Sequence, residues 1–142
     1  MFKEVKPILN YNVISLCRHP YYNHKNGCPN WNKKEGCPPK VKMYDKVYDL
    51  SKPIYIIYNE FDLKSHIDNL KIKYPIWSIH QLKCCLYWQP KARKQLDKQI
   101  SEFKKQFPEY VIDKCPEAKG VDLSATMKTL GIDLEWPVEN KA

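Results

Sequence analysis

Apolar residues recur at helical spacing in two stretches of the chain. In both stretches, four apolar residues are separated by four, three and four positions. The first set is Leu63, Ile67, Leu70 and Tyr74. The second set is Leu96, Ile100, Phe103 and Phe107. Side chains at this spacing share one face of a helix, so we expect two amphipathic helices, one ending at Pro75 and one running from Pro90 to Pro108.

Weaker patterns predict two shorter helices. Between Val41 and Leu50, several apolar residues fall on one helical face. A helix from about Asp122 to Leu130 is also favoured. Asp122 can cap its N-terminus and Gly131 can end it.

Five apolar segments are typical of short strands. Residues 54–58 are the best candidate for a buried central strand, and residues 110–112 are a second candidate. Two short apolar pieces within residues 4–16 also suit strands. A last edge strand is expected at Ile132 and Leu134.

The order of these elements predicts the fold class. Strands alternate with helices, which favours a small sandwich of the α/β or α+β class, with a short sheet covered by helices. Residues 76–89 are too apolar for an exposed loop but match neither periodicity. A chain of 142 residues fits one domain with one core, so we expect a single domain over residues 1–142.

Residues 17–39 depart from these patterns. They hold three cysteines, two histidines and the tripeptide Gly-Cys-Pro twice. Hydrophobic side chains are rare there: Tyr21, Tyr22 and Trp31. Ordering each residue costs roughly 1–2 kcal/mol of backbone entropy, which so little burial cannot offset. We therefore expect a metal centre bound by thiolates to stabilise this cysteine-rich loop.

The spacing and flanks of the cysteines indicate the kind of centre. Ten residues separate Cys17 from Cys28, and eight separate Cys28 from Cys37, so the tight C-x2-C spacing of zinc ribbons and ferredoxins is absent. Cys28, Cys37 and Cys115 are each followed by proline, as in some iron–sulfur loops. We predict a [4Fe–4S] cluster on Cys17, Cys28 and Cys37, with Cys115 or an exogenous group as the fourth ligand.

Two alternatives to this cluster remain open from the residues alone. A Zn²⁺ ion bound by the three thiolates and by His24, His19 or Cys115 is the first. Cysteines with no metal are the second. Cys84 and Cys85 stand apart in an apolar segment, where we expect buried small side chains rather than a fourth ligand or a sulfur-carrying nucleophile.

The chain is basic, with a net charge of +8. Residues 17–42 contain six of the basic residues and one acid, Glu35, and so carry +5. Such a surface suits a nucleic acid or another anionic partner, and nearby cations also lower thiol pKa values. Simple solubility is an equally good explanation. The aromatic residues among these cations could stack on bases, but we expect them to cover the metal loop.

Membrane and secretion signals are not evident in the sequence. No run approaches the roughly 18–20 apolar residues of a membrane span. The first seven residues lack the pattern of a signal peptide. We therefore expect a cytoplasmic protein without a membrane partner, in which reduced cysteines serve as metal ligands or reactive groups.

Several motifs resemble those of an uncharacterised group of cysteine-rich, predicted metal-binding proteins of bacteria, archaea and phages, described only as a domain of unknown function. The motifs are Cys17-Arg18-His19-Pro20-Tyr21, Gly27-Cys28-Pro29-Asn30-Trp31, Cys37-Pro38-Pro39, Pro116-Glu117-Ala118-Lys119-Gly120-Val121-Asp122 and Gly131-Ile132-Asp133-Leu134-Glu135-Trp136-Pro137. The resemblance implies a metal-binding domain, of iron–sulfur type, with Cys17, Cys28 and Cys37 as ligands. It implies no particular reaction.

These observations support a ranked set of functions. The first is a small iron–sulfur protein with redox chemistry, or with sulfur-transfer or lyase chemistry at an iron that lacks a protein ligand. The second is a zinc-stabilised basic module that binds RNA or DNA. The third is an accessory protein with a structural metal and a protein partner.

Overall fold

In a computed structural model, the protein is described over residues 1–21, 24–135 and 138–142. It is an α+β structure. Strands β1 (Phe2–Val5) and β2 (Ile54–Ile57) form an antiparallel two-stranded sheet. The α-helices are α1 (Tyr44–Val47), α2 (Leu63–Lys73), α3 (Ile79–Leu82), α4 (Cys85–Gln106) and α5 (Leu123–Lys128). Two 3-10 helices cover Tyr11–Arg18 and Pro116–Lys119.

The two long helices are confirmed. Helix α2 begins after Asp62, whose carboxylate accepts the Ser65 N–H at 2.9 Å, and ends before Pro75 as predicted. Helix α4 begins five residues earlier than predicted and carries Pro90 within it. Because proline has no N–H, one bond to the carbonyl of Leu86 is lost there. Leu86 is exposed, so water can reach that carbonyl.

The shorter helices are confirmed with smaller extents. Helix α5 is capped by Asp122, which accepts the Ala125 N–H at 2.9 Å, and Gly131 follows with a positive φ of 74°. Helix α1 has four residues rather than the predicted ten, and its Tyr44 side chain is buried. The ambiguous residues 76–89 form α3 and the start of α4. A capping box between Ser78 and Gln81 begins α3.

Several predicted strands are wrong. Residues 110–112 form no strand, because the Lys104 ammonium binds the carbonyls of Pro108 and Tyr110 and holds the chain at the end of α4. Residues 11–18 are a 3-10 helix, and Ile132 and Leu134 lie in irregular backbone.

Strand β2 is found where predicted, but not as a buried central strand. It has one hydrogen-bonded neighbour, β1, and its residues are half-buried. The predicted sheet therefore contains two strands among the described residues.

The chain divides into two compact units. The first, here the helical unit, comprises residues 1–3, 56–111 and 134–142; the second, the cysteine unit, comprises residues 4–55 and 112–133. The core of the helical unit is formed by Phe61, Leu63, Ile67 and Leu82. Trp77 and Trp88 pack against this core, which explains the apolar character of residues 76–89.

In the cysteine unit, residues 8–10 pair through backbone hydrogen bonds with residues 120–122, which are distant in the sequence. Asn10 donates its N–H to the carbonyl of Gly120 at 2.8 Å, and Asp122 donates to the carbonyl of Ile8 at 2.8 Å. Gly120 has a φ of +92°, and a Cβ there would clash with the Tyr11 ring. The pairing therefore fixes the first 3-10 helix, which carries Cys17, against the second, with which it is in contact.

Candidate metal-binding loop

The backbone of the first Gly-Cys-Pro motif is bonded to Cys17. Cys17 lies near the end of the first 3-10 helix, and its carbonyl accepts the Cys28 N–H at 2.7 Å. This bond brings together two cysteines that have ten residues between them in the sequence. The backbone itself therefore sets the distance between the first two candidate ligands.

Gly27 makes this approach possible. Its φ is +80°, and an added Cβ would lie 2.5 Å from the Cys17 carbonyl oxygen and 2.6 Å from the carbonyl carbon of Arg18. Both the conformation and the lack of space exclude a side chain at this position. Gly36, in the second motif, has ordinary backbone and no atom within 4 Å of such a Cβ. The two motifs are therefore alike in sequence and different in structure.

Tight turns shape the rest of the loop. The Asn32 N–H donates to the carbonyl of Pro38 at 2.8 Å, with Asn32 at a φ of 55°. Cys28 and Cys37 each accept backbone bonds, from Trp31 and Val41 respectively, both at 3.1 Å. The bond between Asn32 and Pro38 links the two turns, so the second and third cysteines belong to one compact piece of backbone.

The surroundings of the Cys17 thiol disfavour its ionised form. Cys17, Cys28 and Cys37 are all half-buried with free thiols. The pKa of Cys17 is raised, chiefly because its partial burial disfavours the thiolate, and then because Cys28, Cys37 and Glu117 place negative charge near it. A bound cation would relieve this repulsion of the Cys17 thiolate.

Cys115 belongs to the cysteine unit and is exposed. It precedes the second 3-10 helix, and its N–H donates to Asp113 Oδ1 at 3.0 Å. Lys119 Nζ lies 3.0 Å from both Asp113 oxygens, and both side chains are 13% exposed. This ion pair fixes the backbone on either side of Cys115, since Lys119 also donates to the Cys115 carbonyl at 3.4 Å.

Glu117 is a residue that the sequence reasoning missed. It lies two residues after Cys115, on the second 3-10 helix, and its charge acts on the Cys17 thiol. Surrounding protein raises the pKa of its carboxyl, although the side chain as a whole is exposed. In the sequence, only the position of Glu117 directly after Cys115-Pro116 could have indicated a role at the site. The contact between the two 3-10 helices is what relates Glu117 to Cys17.

The other candidate ligands are less well placed. His19 is exposed, and the His24 ring lies 4.6 Å from the ring of Tyr21, between centroids. Cys84 and Cys85 belong to the helical unit. Cys84 precedes α4 and is half-buried, whereas Cys85 is exposed, so the expectation of two buried side chains is wrong for Cys85.

No group of three or more His, Cys, Asp and Glu side chains is arranged to hold a metal ion within residues 1–21, 24–135 and 138–142. The three candidate thiols therefore share one compact loop without forming a ready-made coordination sphere. Side-chain rotation about a backbone that is already fixed would have to complete such a site.

The cations of the loop are at its surface. Arg18 places its guanidinium 5.6 Å from the centre of the Trp31 ring, and Trp31 is half-buried. Lys40 forms a 3.4 Å ion pair with Glu35. Tyr22, which the sequence suggested as a second aromatic cover, lies outside the described residues.

The part of the chain that the structure describes contains no helix long and apolar enough to cross a membrane. Comparison of the chain with models of known protein families, with curated proteins and with solved structures gives no match. The resemblance to the cysteine-rich metal-binding group therefore stays a prediction.

Proposed function

We propose that residues 17–39 are a metal-binding loop on an α+β scaffold and that Cys17, Cys28 and Cys37 hold a [4Fe–4S] cluster. The observation that carries the proposal is the approach of the backbone around the cysteines: the Cys28 N–H donates to the Cys17 carbonyl at 2.7 Å, and the Asn32 N–H donates at 2.8 Å to the carbonyl of Pro38, the residue after Cys37.

The residues of the loop suit a cluster in their chemistry. Thiolates are the ligands of iron–sulfur clusters, and the surrounding cations offset their charge. Arg18 follows the first ligand directly and lies over the Trp31 ring, so it is held close to the loop. Partial burial of all three thiols limits their contact with solvent, which affects cluster potential.

The chain's own contribution is to position the ligands. Gly27 allows the backbone at Cys28 to pack against Cys17, and the bond between Asn32 and Pro38 sets the position of Cys37 relative to Cys28. A bound cluster would supply electron transfer or, at an iron without a protein ligand, Lewis-acid chemistry. The fourth position is open to Cys115, to Glu117 or to an exogenous group.

Metal analysis of protein purified without air tests the proposal. We expect about four iron and four sulfide per chain after reconstitution, with the broad visible absorption of a cluster. Cys28→Ala and Cys37→Ala should lose the metal and lower the thermal midpoint together, since metal binding and folding are linked. Cys84→Ala, a change in the helical unit, is the matched control and should keep the metal.

Each other outcome has a clear meaning. A colourless protein with one zinc per chain would replace the cluster by the zinc alternative. A chain that takes up neither metal would refute the loop as a metal site. Loss of metal in Cys115→Ala but not in Glu117→Gln would assign the fourth position to the thiol, and the reverse result would assign it to the carboxylate.

A further inference from the structure

The exposed face of α4 in the helical unit carries a regular line of cations. Lys91, Lys94, Lys98 and Lys105 are separated by three, four and seven residues, and all four are exposed. At this spacing they lie on one side of the helix. Glu102 shares that side, so the line carries four positive charges against one negative charge.

An aromatic residue begins the same line. Tyr87 precedes Lys91 by four residues, so it lies on the same face, and 47% of its surface is exposed. From Tyr87 to Lys105 the helix rises about 27 Å, at about 1.5 Å for each residue. We call this surface, formed by Tyr87, Lys91, Lys94, Lys98 and Lys105, the lysine face.

The Tyr87 ring is held by a fixed stack of aromatic rings. Its centroid lies 5.2 Å from that of Trp77, which stacks on Tyr74 at 4.2 Å with an interplanar angle of 8°. Trp77 also packs against the core of the helical unit. Tyr87 therefore loses little conformational freedom if a flat ligand stacks on its exposed side.

We propose that the lysine face binds single-stranded nucleic acid, with an unpaired base stacked on Tyr87 and the phosphates along the lysines. Non-specific sites for single strands combine these two elements, a row of cations and an aromatic platform. A base in a duplex does not offer a free ring face to a tyrosine, so the single strand fits better than the duplex.

Other anionic partners fit the lysine face less well. A membrane surface would require aliphatic side chains that insert between lipids, and the positions of this face hold lysines, a glutamate, a serine and a tyrosine. A second copy of the chain would bring the same cations and would be repelled. An acidic polypeptide could pair with the lysines but would leave the ring of Tyr87 without a specific role.

Fluorescence anisotropy with labelled oligonucleotides of about 16 nucleotides tests the proposal. Poly-dT and poly-U distinguish DNA from RNA, and a duplex of the same length is the comparison. Four neutralised phosphates predict a salt slope near −3 in log K against log salt, at about −0.7 for each phosphate, and roughly a fiftyfold loss between about 50 and 200 mM salt. The duplex should bind more weakly than the single strands.

Matched charge variants locate the site. The triple change Lys91→Gln, Lys94→Gln, Lys98→Gln should weaken binding at low salt by about tenfold or more and should reduce the salt slope by about 2. The control is the triple change Lys46→Gln, Lys52→Gln, Lys128→Gln, which removes the same charge from exposed positions of the cysteine unit. It should keep the slope and most of the affinity.

The aromatic contact has its own pair of variants. Tyr87→Ala should weaken single-strand binding by about fivefold or more, whereas Tyr87→Phe keeps the ring and should bind like the unchanged protein. Far-UV circular dichroism checks that α4 remains folded in all variants.

Several results would overturn the proposal. They are no binding at about 50 mM salt, equal losses in the two triple variants, or Tyr87→Ala binding as tightly as Tyr87→Phe. Binding to anionic vesicles without binding to oligonucleotides would assign the face to a lipid surface instead. None of these measurements depends on the metal content of the cysteine unit.

Discussion

The helical unit and the cysteine-rich loop maintain their structures in different ways. In the helical unit, Leu63 and Ile67 of α2 are buried in an apolar core together with Phe61 and Leu82. In the cysteine-rich loop, the described residues are held by backbone hydrogen bonds between turns, and the Pro38 side chain is fully buried. Burial maintains the helical unit, and backbone geometry maintains the loop.

This difference bears on the proposed metal site. A backbone hydrogen bond adds only about 0.5–1.5 kcal/mol net, because it replaces a bond to water. A loop of this length needs a larger contribution to be as stable as the helical unit. Metal ligation by three thiolates would supply it, since the free energy of binding becomes free energy of folding.

The largest effect should come from the core of the helical unit. Leu63 is 1% exposed, so Leu63→Ala should lower the free energy of unfolding by about 3–5 kcal/mol through lost burial and the cavity left behind. Ile72→Ala, on the same helix but 81% exposed, is the control and should change it by less than about 0.5 kcal/mol. Urea denaturation followed by circular dichroism measures both. Equal effects would contradict the assignment of the core.

The next effect should come from the backbone of the cysteine-rich loop. Gly27→Ala places a methyl group against the backbone of Cys17 and Arg18 at a positive φ, so we expect a loss of about 2–3 kcal/mol in local stability. Gly36→Ala, in the second Gly-Cys-Pro motif, meets no atom and should be close to neutral. Amide hydrogen exchange at Cys28, whose N–H is bonded to Cys17, reports the difference.

The same pair of variants links the loop to its proposed function. Gly27→Ala should lower metal uptake because it separates Cys28 from Cys17, and Gly36→Ala should retain it. If both variants take up metal like the unchanged protein, the close approach of the backbone is not needed for the site. Equal hydrogen exchange in the two variants would contradict the distinction between the motifs.

The sequence predicts the helical unit well because its signals are local. The spacing of Leu63, Ile67 and Leu70 and the capping carboxylate of Asp62 act within α2 itself. The strand prediction at residues 110–112 failed for the opposite reason. Strand propensity there is overridden by Lys104, which binds the backbone after α4, and local pattern does not reveal that contact.

The candidate site was predictable in its residue types but not in its arrangement. The cysteines and the repeated Gly-Cys-Pro motif mark residues 17–39 as the candidate site. Gly27 packs against the backbone of Cys17 and Arg18, whereas Gly36 meets no atom. Two identical tripeptides cannot indicate this difference, because it depends on which distant backbone lies nearby. The charge of Glu117 acts on Cys17 only because the two 3-10 helices, which are far apart in the sequence, are in contact.

A smaller effect is expected from the hydrogen bond between Thr126 and Ile8. Thr126 is 1% exposed, and its hydroxyl accepts the Ile8 N–H at 2.9 Å while donating to the Asp122 carbonyl at 2.7 Å. Thr126→Val keeps the shape and leaves the Ile8 N–H without this partner, so it should cost about 1–2 kcal/mol. Thr129→Val, at an exposed position of the same segment, should cost less, and chemical denaturation compares them. An equal cost would mean that the Ile8 bond adds nothing.

The smallest effect concerns the response of the cysteine unit to alkaline pH. Partial burial of Tyr48, followed by the charge of Asp113 and a hydrogen bond to it, raises the pKa of the phenol from 10.0 to about 12. The folded state therefore favours the neutral phenol. The contribution of Tyr48 to the stability of the folded state is complete below pH 10 and is lost as the pH rises towards 12.

Tyr48→Phe isolates this contribution. Lysines titrate in the same range in both proteins, so the difference between their free energies of unfolding reports Tyr48 alone. Relative to Tyr48→Phe, the unchanged protein should lose stability between pH 10 and about 12, by less than about 1 kcal/mol because solvent screens a half-exposed phenol. Parallel pH profiles would show that burial and the charge of Asp113 do not hold the phenol in its neutral form.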